Sequence, residues 1–300
     1  MKFVVTGGAG FVGSHLVKLL VNEGHKITVI DNLHKGKMEN LSSVINEIKF
    51  EKIDIRDFHS IEKVLKNIDG VFHQAALTVV QDSFERKKEY CDVNVLGTEN
   101  IFKLAKENKF KIVYASSSSV YGHKQQTPIN EDAGREPINP YGETKLEDEY
   151  LFEKYSKLDT SIIGLRYFNI FGEGQTMEYA GVITKFLDRI KDKKPPIIFG
   201  DGSQIRDFVS VNDVAKANLM AMTSDISNSL ANIGTGCALS ILELANMMIG
   251  ISGLSLKPIF SNALDGDIQK SHANISLAMK SFNWKPEIKL EDWLREIMLK

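Results

Sequence analysis

The sequence predicts an α/β fold in which a doubly wound parallel sheet is followed by a smaller α+β region. In the first half, short apolar runs alternate with stretches of helical periodicity, which is typical of βαβ units with helices on both faces of a sheet. A glycine-rich segment, T-G-G-A-G-F-V-G, joins the first apolar run to the first amphipathic stretch. Later in the chain this regular alternation is lost.

The elements follow from these patterns in chain order. The apolar runs predict strands at 2–6, 26–30, 48–53, 70–72, 111–115 and 161–165. Helical periodicity predicts helices near 11–23, 57–66, 92–108 and 142–156. Beyond about residue 166 the connections contain Gly and Pro, and helical patterns return at 179–192, 211–222, 240–250 and 291–299. We therefore expect a cofactor-binding domain at 1–166, to which later segments return, and a mainly substrate-binding region at 167–300.

Composition excludes several classes of partner. The chain has 300 residues and a formal net charge of -2, so no excess of positive charge indicates nucleic acid or an anionic membrane. Cys91 and Cys237 lie far apart without metal-ligand spacing, which argues against a disulfide scaffold or a metal site. The N-terminal apolar run is too short for a signal peptide, and no apolar stretch has the length of a membrane span. We expect a cytoplasmic protein without metal.

The glycine-rich segment predicts a dinucleotide site. Gly7, Gly10 and Gly13 allow a tight turn and the close approach of a pyrophosphate to the start of a helix. Asp31 follows Gly13 by 18 residues, at the end of the second strand, where a carboxylate would bind the adenosine ribose. It would repel a 2′-phosphate, so we expect a Rossmann domain that binds NAD. The alternative is an ordinary glycine-rich turn with an incidental aspartate.

Two further segments are compatible with cofactor contacts and equally with packing. Asp54 and Ile55 follow the third strand, where the carboxylate would meet the adenine amine, although a helix-capping Asp explains it as well. Ala75 and Ala76 follow the fourth strand, where small side chains would let a dinucleotide pass. The neighbouring His73 is more simply explained as a structural histidine.

A candidate general base lies in the run P-Y-G-E-T-K. If Tyr141 opens a helix, Lys145 lies four residues on along the same face, where its ammonium group can lower the pKa of the phenol. A serine cluster, 116–119, precedes it by about twenty residues. An isolated Y-x-x-x-K is more often a packed aromatic beside a solvated lysine, and the serines and the dinucleotide motif together favour the base.

Several motifs jointly resemble those of one enzyme family. They are D-I-R-D, H-Q-A-A, N-V-L-G-T, S-S-S-V-Y-G, P-Y-G-E-T-K, L-R-Y-F-N, G-D-G-S-Q-I-R-D-F and N-I-G-T-G, and with the glycine-rich start they run in order from residue 3 to about 286. The chain resembles an extended short-chain dehydrogenase/reductase of the nucleotide-sugar epimerase/dehydratase family, and is most similar to UDP-glucose 4-epimerases.

The resemblance implies 4-epimerisation of a UDP-hexose through a transient 4-keto sugar. Tyr141 would be the base, Lys145 would hold its pKa down and bond the nicotinamide ribose, and Ser117 would bond the sugar O4. The resemblance also implies a homodimer, formed by the helix at 92–108 and the helix that carries Tyr141. The residues it assigns to NAD are Gly7, Gly10, Phe11, Val12, Gly13, Asp31, Asn32, Asp54, Ile55, Ala75, Ala76, Asn94, Ser116, Tyr141, Lys145 and Phe168.

The residues after Ser117 distinguish branches of the family. The 4,6-dehydratases resembling this chain carry Asp-Glu there, because eliminating water across C5 and C6 needs an acid and a base beyond the tyrosine. Decarboxylases and GDP-mannose dehydratases usually keep a Glu at the second place. This chain has Ser118 and Ser119, which favours epimerisation. Alternatives are a UDP-glucuronate 4-epimerase, a decarboxylase, a 4,6-dehydratase, or a non-catalytic NAD-binding sensor.

Substrate contacts are also carried over from the resemblance. Arg206 would bind the diphosphate, with a salt bridge to Asp207 or another carboxylate as the alternative. Leu264 stands where the family has a second diphosphate arginine. Ser271 replaces a large tyrosine and implies room for an N-acetylhexosamine. The full set implied to bind substrate is Thr78, Ser117, Asn169, Val182, Arg206, Asp267 and Ser271.

Overall fold

The computed structural model describes residues 1–175, 181–264 and 267–299. Its strands are β1 Lys2–Thr6, β2 Lys26–Ile30, β3 Ile48–Glu51, β4 Gly70–His73, β5 Lys111–Ser117, β6 Ile162–Tyr167, β7 Asn169–Phe171, β8 Ile197–Phe199, β9 Ile205–Ser210, β10 Asn228–Ile233, β11 Ala238–Ser240, β12 Ile259–Ser261 and β13 Lys270–Ser271. Its α-helices are α1 Phe11–Asn22, α2 Phe58–Val64, α3 Val80–Glu85, α4 Lys87–Tyr90, α5 Gly97–Asn108, α6 Pro140–Ser156, α7 Val182–Lys191, α8 Val211–Thr223, α9 Ile241–Ser252, α10 Ser276–Phe282 and α11 Leu290–Met298.

Seven parallel strands form the large sheet, in the order β3-β2-β1-β4-β5-β6-β10. The sheet is doubly wound, as predicted. The chain order reverses between β1 and β4, and in such sheets a crevice opens there at the carboxyl ends of the strands. The glycine-rich turn and the Ala75 segment both leave the sheet at this crevice.

Helices cover both faces of the large sheet. The core on one face includes Leu16 and Leu20 of α1 with Val214 of α8, and the core on the other includes Phe102 of α5 and Tyr155 of α6. Each fully buried Leu or Phe side chain contributes roughly 1.5–3 kcal/mol to stability. This rigid base holds the loops that leave its carboxyl edge.

The second half of the chain forms smaller sheets with a core of their own. β9 pairs with β7, β11 and β13, and β8 pairs with β12. The helices α7, α9 and α11 supply most of this core, around buried residues such as Phe186 and Leu244. β10 rejoins the large sheet beside β6. A domain boundary at residue 166 stays a prediction.

Several elements differ from the sequence prediction. β3 ends two residues early, at Glu51, and the Asp54 carboxylate just after it accepts a hydrogen bond from the backbone N–H of Arg56, which turns the chain. The short helices α3 and α4 were not predicted, because such short helices depend on tertiary contacts rather than on periodicity. A π-helical turn, Cys91–Leu96, replaces the start of the helix predicted at 92. Of the helix predicted at 179–192, residues 179 and 180 lie outside the described ranges.

In the parts of the chain that the structure describes, no helix has both the length and the apolar character needed to cross a bilayer.

Candidate active site

A cleft of about 660 Å³ opens at the carboxyl edge of the large sheet and is lined by residues from both halves of the chain. Most of the residues that the sequence assigns to cofactor or substrate line it. These are Gly7, Gly10, Phe11, Val12, Gly13, Asp31, Asn32, Asp54, Ile55, Ala75, Ala76, Thr78, Ser116, Ser117, Tyr141, Lys145, Phe168, Asn169, Arg206, Asp267 and Ser271. Asn94 and Val182 are the exceptions.

The glycine-rich turn is shaped by close backbone contacts. Gly7 has φ +68°, and a Cβ there would lie 2.7 Å from the backbone of Ala75. A Cβ on Gly13 would lie 2.1 Å from the carbonyl oxygen of Gly7. Gly10 caps α1 without a side chain, so the first N–H groups of the helix face the cleft unobstructed by a capping side chain. Such a helix N-terminus suits a diphosphate.

Asp31 is a buried carboxylate at the end of β2. Its Oδ2 accepts a hydrogen bond from Ala9 N at 3.0 Å, and its Oδ1 accepts one from Leu33 N at 2.8 Å. Burial raises the pKa of Asp31, and these two backbone bonds oppose the rise. Each oxygen keeps a second acceptor direction, so the carboxylate can still receive two ribose hydroxyls.

Asp54 lines the cleft but differs from its predicted role. Its Oδ1 accepts bonds from the backbone N and Nε of Arg56, and its Oδ2 accepts from Arg56 Nη2 and Asn32 Nδ2, at 2.8–3.0 Å. These bonds to Arg56 lower the pKa of Asp54 well below its ordinary value. All four acceptor directions of the carboxylate are filled, so an adenine amine would have to displace one of these partners.

Asn94 does not line the cleft, and its predicted contact with the cofactor stays a prediction. It is fully buried in the π-helical turn, where its Oδ1 accepts from Leu77 N at 2.8 Å. Its Nδ2 donates to Leu77 O at 3.0 Å and to Thr144 Oγ1 at 2.9 Å. Both amide hydrogens are used, so Asn94 ties the loop after β4 to α6 from behind.

Ser116 also has a structural partner. Its hydroxyl donates to Glu149 Oε1 at 2.7 Å, and Arg166 donates to both oxygens of the same carboxylate at 2.8 Å. Glu149 is fully buried, so this ion pair joins α6 to β5 and β6 beneath the cleft. The hydroxyl hydrogen of Ser116 is therefore used within the protein, while its oxygen can still accept a hydrogen bond, and its contact with the cofactor stays a prediction.

Ser117 is held by the residue two positions later. It caps a 3₁₀ turn, Ser118–Tyr121, by accepting a hydrogen bond from Ser119 N at 3.1 Å. Its own hydroxyl donates to Ser119 Oγ, also at 3.1 Å. The residue is 8% exposed, and its hydroxyl can rotate toward a ligand in the cleft. The sequence did not identify Ser119 as the residue that orients Ser117.

Tyr141 lies in the first turn of α6, as the sequence predicts. Asn139 caps this helix, because its side chain accepts from Gly142 N at 2.8 Å, and Pro140 occupies the first helical position. The backbone N–H of Tyr141, which the helix leaves unpaired, donates to Ser83 Oγ at 3.2 Å. The cap and this bond fix where the phenol enters the cleft.

Lys145 is buried on the same helix, with 4% of its surface exposed. Its Nζ donates to Ala115 O at 3.1 Å and to Asp148 Oδ2 at 3.0 Å. Burial alone would lower the pKa of Lys145, but the charges of Asp148 and Tyr141 outweigh burial and leave it raised. The ammonium group keeps one more N–H for a ligand.

Arg206 forms the ion pair that the sequence left open as an alternative. Its partner is Asp267, whose Oδ1 lies 2.5 Å from Arg206 Nη2. Asp207 instead accepts hydrogen bonds from the backbone N and Oγ1 of Thr235. Burial lowers the pKa of Arg206, and Asp267 opposes this. A diphosphate would have to share the guanidinium with Asp267.

Lys185 is a cation that sequence reasoning missed. It lines the cleft from α7, and Leu264, whose side chain is 42% exposed, is also among the lining residues. The amphipathic pattern of α7 buries Ile183 and Phe186 and leaves Lys185 on the other face, which is the signal that could have identified it.

The remaining predicted substrate residues divide between wall and core. Ser271 in β13 is 4% exposed and lines the cleft, as Asn169 and the exposed Thr78 do. Phe168 lines the cleft and also packs in a buried cluster. Val182 packs against the core of the second region, while the preceding Gly181 lines the cleft. The Val182 side chain thus packs into the protein, and a contact of its backbone with the substrate stays a prediction.

His73 is fully satisfied within the protein. Its Nδ1 lies 2.6 Å from Thr6 Oγ1 and its Nε2 lies 2.9 Å from Thr98 Oγ1. Burial, with the Lys145 charge second, lowers the pKa of His73 to about 3, so the ring is neutral. It is a structural histidine beneath the cleft.

Known proteins match the chain over most of its length. Residues 3–234 match the model of the NAD dependent epimerase/dehydratase family. A putative UDP-glucose 4-epimerase of Methanocaldococcus jannaschii is 39% identical over 304 residues, which cover 98% of this chain and 96% of that protein.

Two solved structures are similar throughout. A UDP-N-acetylglucosamine 4-epimerase from Methanobrevibacter ruminantium M1, in complex with UDP-N-acetylmuramic acid, has a TM-score of 0.93 at 36% identity and covers 99% of this chain and 97% of its own. A UDP-glucose 4-epimerase of Thermus thermophilus, in complex with NAD, has a TM-score of 0.89 at 29% identity, with 98% and 97% covered. With the cleft and these matches together, the chain belongs to the NAD-dependent epimerase/dehydratase family, as an enzyme of the nucleotide-sugar type.

Proposed function

We propose that the protein interconverts the C4 epimers of a UDP-hexose through a transient 4-keto sugar, with NAD as its cofactor. The family supports the reaction type, and the cleft supplies groups for each part of it. UDP-glucose and UDP-galactose are the first candidate pair, and UDP-GlcNAc and UDP-GalNAc are the second.

The cleft fits a dinucleotide on the protein side. The turn at Gly7 and Gly13 leaves no space for a Cβ, which keeps the N-terminus of α1 open to a diphosphate. Asp31 has one free acceptor direction on each oxygen for the ribose diol. Bound NAD would supply the acceptor and donor of the hydride at C4. Asp31, the α1 N-terminus and Lys145 would hold it.

Tyr141 would take the proton from the 4-hydroxyl and return it after the keto sugar has turned over. Lys145 would stabilise its phenolate, since it lies four residues after Tyr141 on the same face of α6. Ser117 would bond O4 and orient its proton. The proton that leaves the sugar returns to the same carbon's oxygen, so no proton has to leave the site.

The observation that carries this proposal is that none of the described residues places a carboxylate beside Ser117. The carboxylates among the described residues that line the cleft are Asp31, Asp54, Glu89 and Asp267. The first two belong to the adenosine end, Glu89 pairs with Arg86, and Asp267 pairs with Arg206. Ser119 holds Ser117 by hydrogen bonds where elimination or decarboxylation would need an acid or base. Epimerisation needs no such group.

The wall near Ser271 supports the wider substrate range. Ser271 is buried and small, so the cleft offers volume where a tyrosine would fill it. We expect turnover of the N-acetylated pair as well as the unacetylated pair. Turnover of the unacetylated pair alone would contradict this part of the proposal.

The test is product analysis by NMR after incubation with a panel of UDP-, dTDP- and GDP-sugars. We expect C4 epimers of UDP-hexoses and no 4-keto-6-deoxy or decarboxylated product. Tyr141→Phe should lower kcat by at least about 100-fold while the purified protein keeps its NAD content. Unchanged activity of Tyr141→Phe would reject the mechanism, and an inactive wild type with bound NAD would favour a sensor.

A further inference from the structure

A buried carboxylate, that of Asp148, lies against Lys145, the lysine that would assist the proposed base Tyr141. Asp148 follows Lys145 by three residues on α6, and its Oδ2 lies 3.0 Å from Lys145 Nζ. The side chain of Asp148 is completely buried and that of Lys145 is 5% exposed. Asp148 does not line the cleft and takes no direct part in the proposed reaction.

Asp148 is surrounded by several polar and ionisable groups. Within the described residues, its Oδ1 has no hydrogen-bond partner although it is buried. The groups that face it or its lysine are Tyr141 and Glu149 on α6, Thr98 on α5, His73 on β4 and Tyr114 on β5. His73 is neutral, and Glu149 is paired with Arg166. The ammonium group of Lys145 is therefore the positive charge that pairs with Asp148.

The two groups hold each other ionised against burial. Burial raises the pKa of Asp148, and Lys145 opposes that rise. In return the Asp148 carboxylate raises the pKa of Lys145 against burial. A lone charge of either sign at this depth would be strongly disfavoured.

We propose that Asp148 is a positioning residue that fixes the place and the charge of Lys145, and thereby sets the pH range in which Tyr141 works. The inference rests on the proposed function for its catalytic part. Because Nζ is bound by Asp148 and by Ala115 O, its third N–H is aimed by the protein alone. The carboxylate also offsets part of the positive charge that stabilises the Tyr141 phenolate.

Removing the negative charge of Asp148 should shift the acid limb and the alkaline limb of the pH profile of kcat/KM in the same direction, to lower pH. In Asp148→Asn the unbalanced ammonium stabilises the phenolate more, so the acid limb of kcat/KM moves to lower pH. The same ammonium, buried without its partner, gives up its proton more readily, so the alkaline limb also moves to lower pH. We expect each limb to shift by about one pH unit.

The matched control is Glu147→Gln. Glu147 is exposed on the same helix, so this change removes the same formal charge without touching the buried pair. We expect its pH profile to coincide with that of the wild type. A shift in Glu147→Gln as large as that in Asp148→Asn would overturn the proposal, because the effect would then follow net charge alone.

A second measurement does not depend on enzymatic activity. We expect Asp148→Asn to lower the urea midpoint of unfolding in the wild-type background, where it strands the ammonium of Lys145. In a Lys145→Met background the same change should raise the midpoint, because it removes a stranded carboxylate. If Asp148→Asn alone folds poorly, the comparison of Lys145→Met with the double variant still tests the pair, since the double variant carries no lone buried charge.

The two readouts separate the possible failures. If the two substitutions have non-additive effects on the urea midpoint and the wild type has no epimerase activity, the proposed function is rejected. The interaction between Asp148 and Lys145 is then still supported. Additive urea effects, together with an unshifted pH profile of an active enzyme, would show that Asp148 only fills space and would overturn the inference.

Discussion

Ser117 was predicted from the sequence as a site residue, but its hydrogen-bond partners were not. The resemblance to the family implies a role for Ser117, but only the structure shows that Ser119 binds it by a backbone N–H and a hydroxyl. Ser119 thus fixes the position of the Ser117 oxygen before any ligand arrives, which reduces the entropic cost of ordering it in the reaction.

The proposed role of Ser117 predicts a graded set of kinetic effects. Ser117→Ala should lower kcat by about 100-fold, because it removes a hydroxyl that bonds the reacting oxygen. Ser119→Ala should lower it much less, since the backbone N–H of residue 119 still binds Ser117. Steady-state kinetics with the substrate found by NMR measures both. Ser117→Thr, which keeps the oxygen, is the control, and equal losses in Ser117→Ala and Ser117→Thr would contradict the role.

Other residue roles depend on side-chain partners that the sequence did not indicate. Arg206 and Asp267 are 61 positions apart, so their ion pair has no local signal. Asp54 looks available in sequence, yet Arg56 and Asn32 fill its oxygens. Asp148 is different, because its three-residue spacing from Lys145 on a predicted helix could have identified the pair.

At the scale of the element, the glycine-rich turn joins β1, α1 and the loop after β4. Gly13 belongs to α1, where glycine would ordinarily weaken the helix. It is retained because the carbonyl of Gly7 lies where its Cβ would be. The sequence predicted this turn well, since the spacing of the glycines reflects a purely local steric need.

Two glycine-to-alanine changes in helices should therefore have opposite signs. Gly13→Ala should lower the free energy of unfolding by about 1–3 kcal/mol and reduce the NAD that copurifies, because its Cβ would overlap the backbone of Gly7. Gly250→Ala in α9 has open space around the new methyl group and should raise stability by about 0.5–1 kcal/mol. Urea unfolding and the NAD content of purified protein measure both. A Gly13→Ala protein as stable and as NAD-rich as the wild type would contradict this account of the turn.

Helix α6 illustrates what the sequence could and could not give at this scale. It begins at Pro140, two residues before the predicted start at 142, because Asn139 caps it and the proline suits the first position. The short helices α3 and α4 pack beside it without any periodic signal of their own. Ser83 of α3 nevertheless binds the backbone of Tyr141, so an element that the sequence missed helps to fix the proposed base.

At the scale of the whole molecule, the parallel sheet brings residues from seven strands to one edge, and the second region closes the cleft. The alternating pattern predicts the sheet because buried parallel strands are apolar on both faces. The return of β10 to the sheet, after the smaller sheets, depends on contacts across 66 residues with β6. The predicted homodimer stays a prediction; Tyr150 of α6 is 46% exposed, whereas Leu146 packs within the chain.

The buried His73 predicts how the stability of the molecule depends on pH. Its pKa is about 3 in the folded chain and 6.5 ordinarily, so unfolding takes up a proton between these values. The contribution of neutral His73 to the free energy of unfolding is complete above pH 6.5 and is lost as the pH falls toward 3. We expect this group to remove about 2 kcal/mol of stability between about pH 7 and pH 5. Urea unfolding of the wild type and of His73→Gln over that range measures the difference. Parallel curves for the two proteins would contradict it.

The central claim is that one carbon is oxidised and reduced again within a single site. The most direct measurement follows a UDP-hexose deuterated at C4, using the sugar that the NMR panel identifies. We predict that the C4 epimer forms with its deuterium retained at C4, because the hydride leaves and returns without meeting solvent. Loss of deuterium to water, or a product that lacks a hydroxyl or a carboxyl group, would contradict the claim.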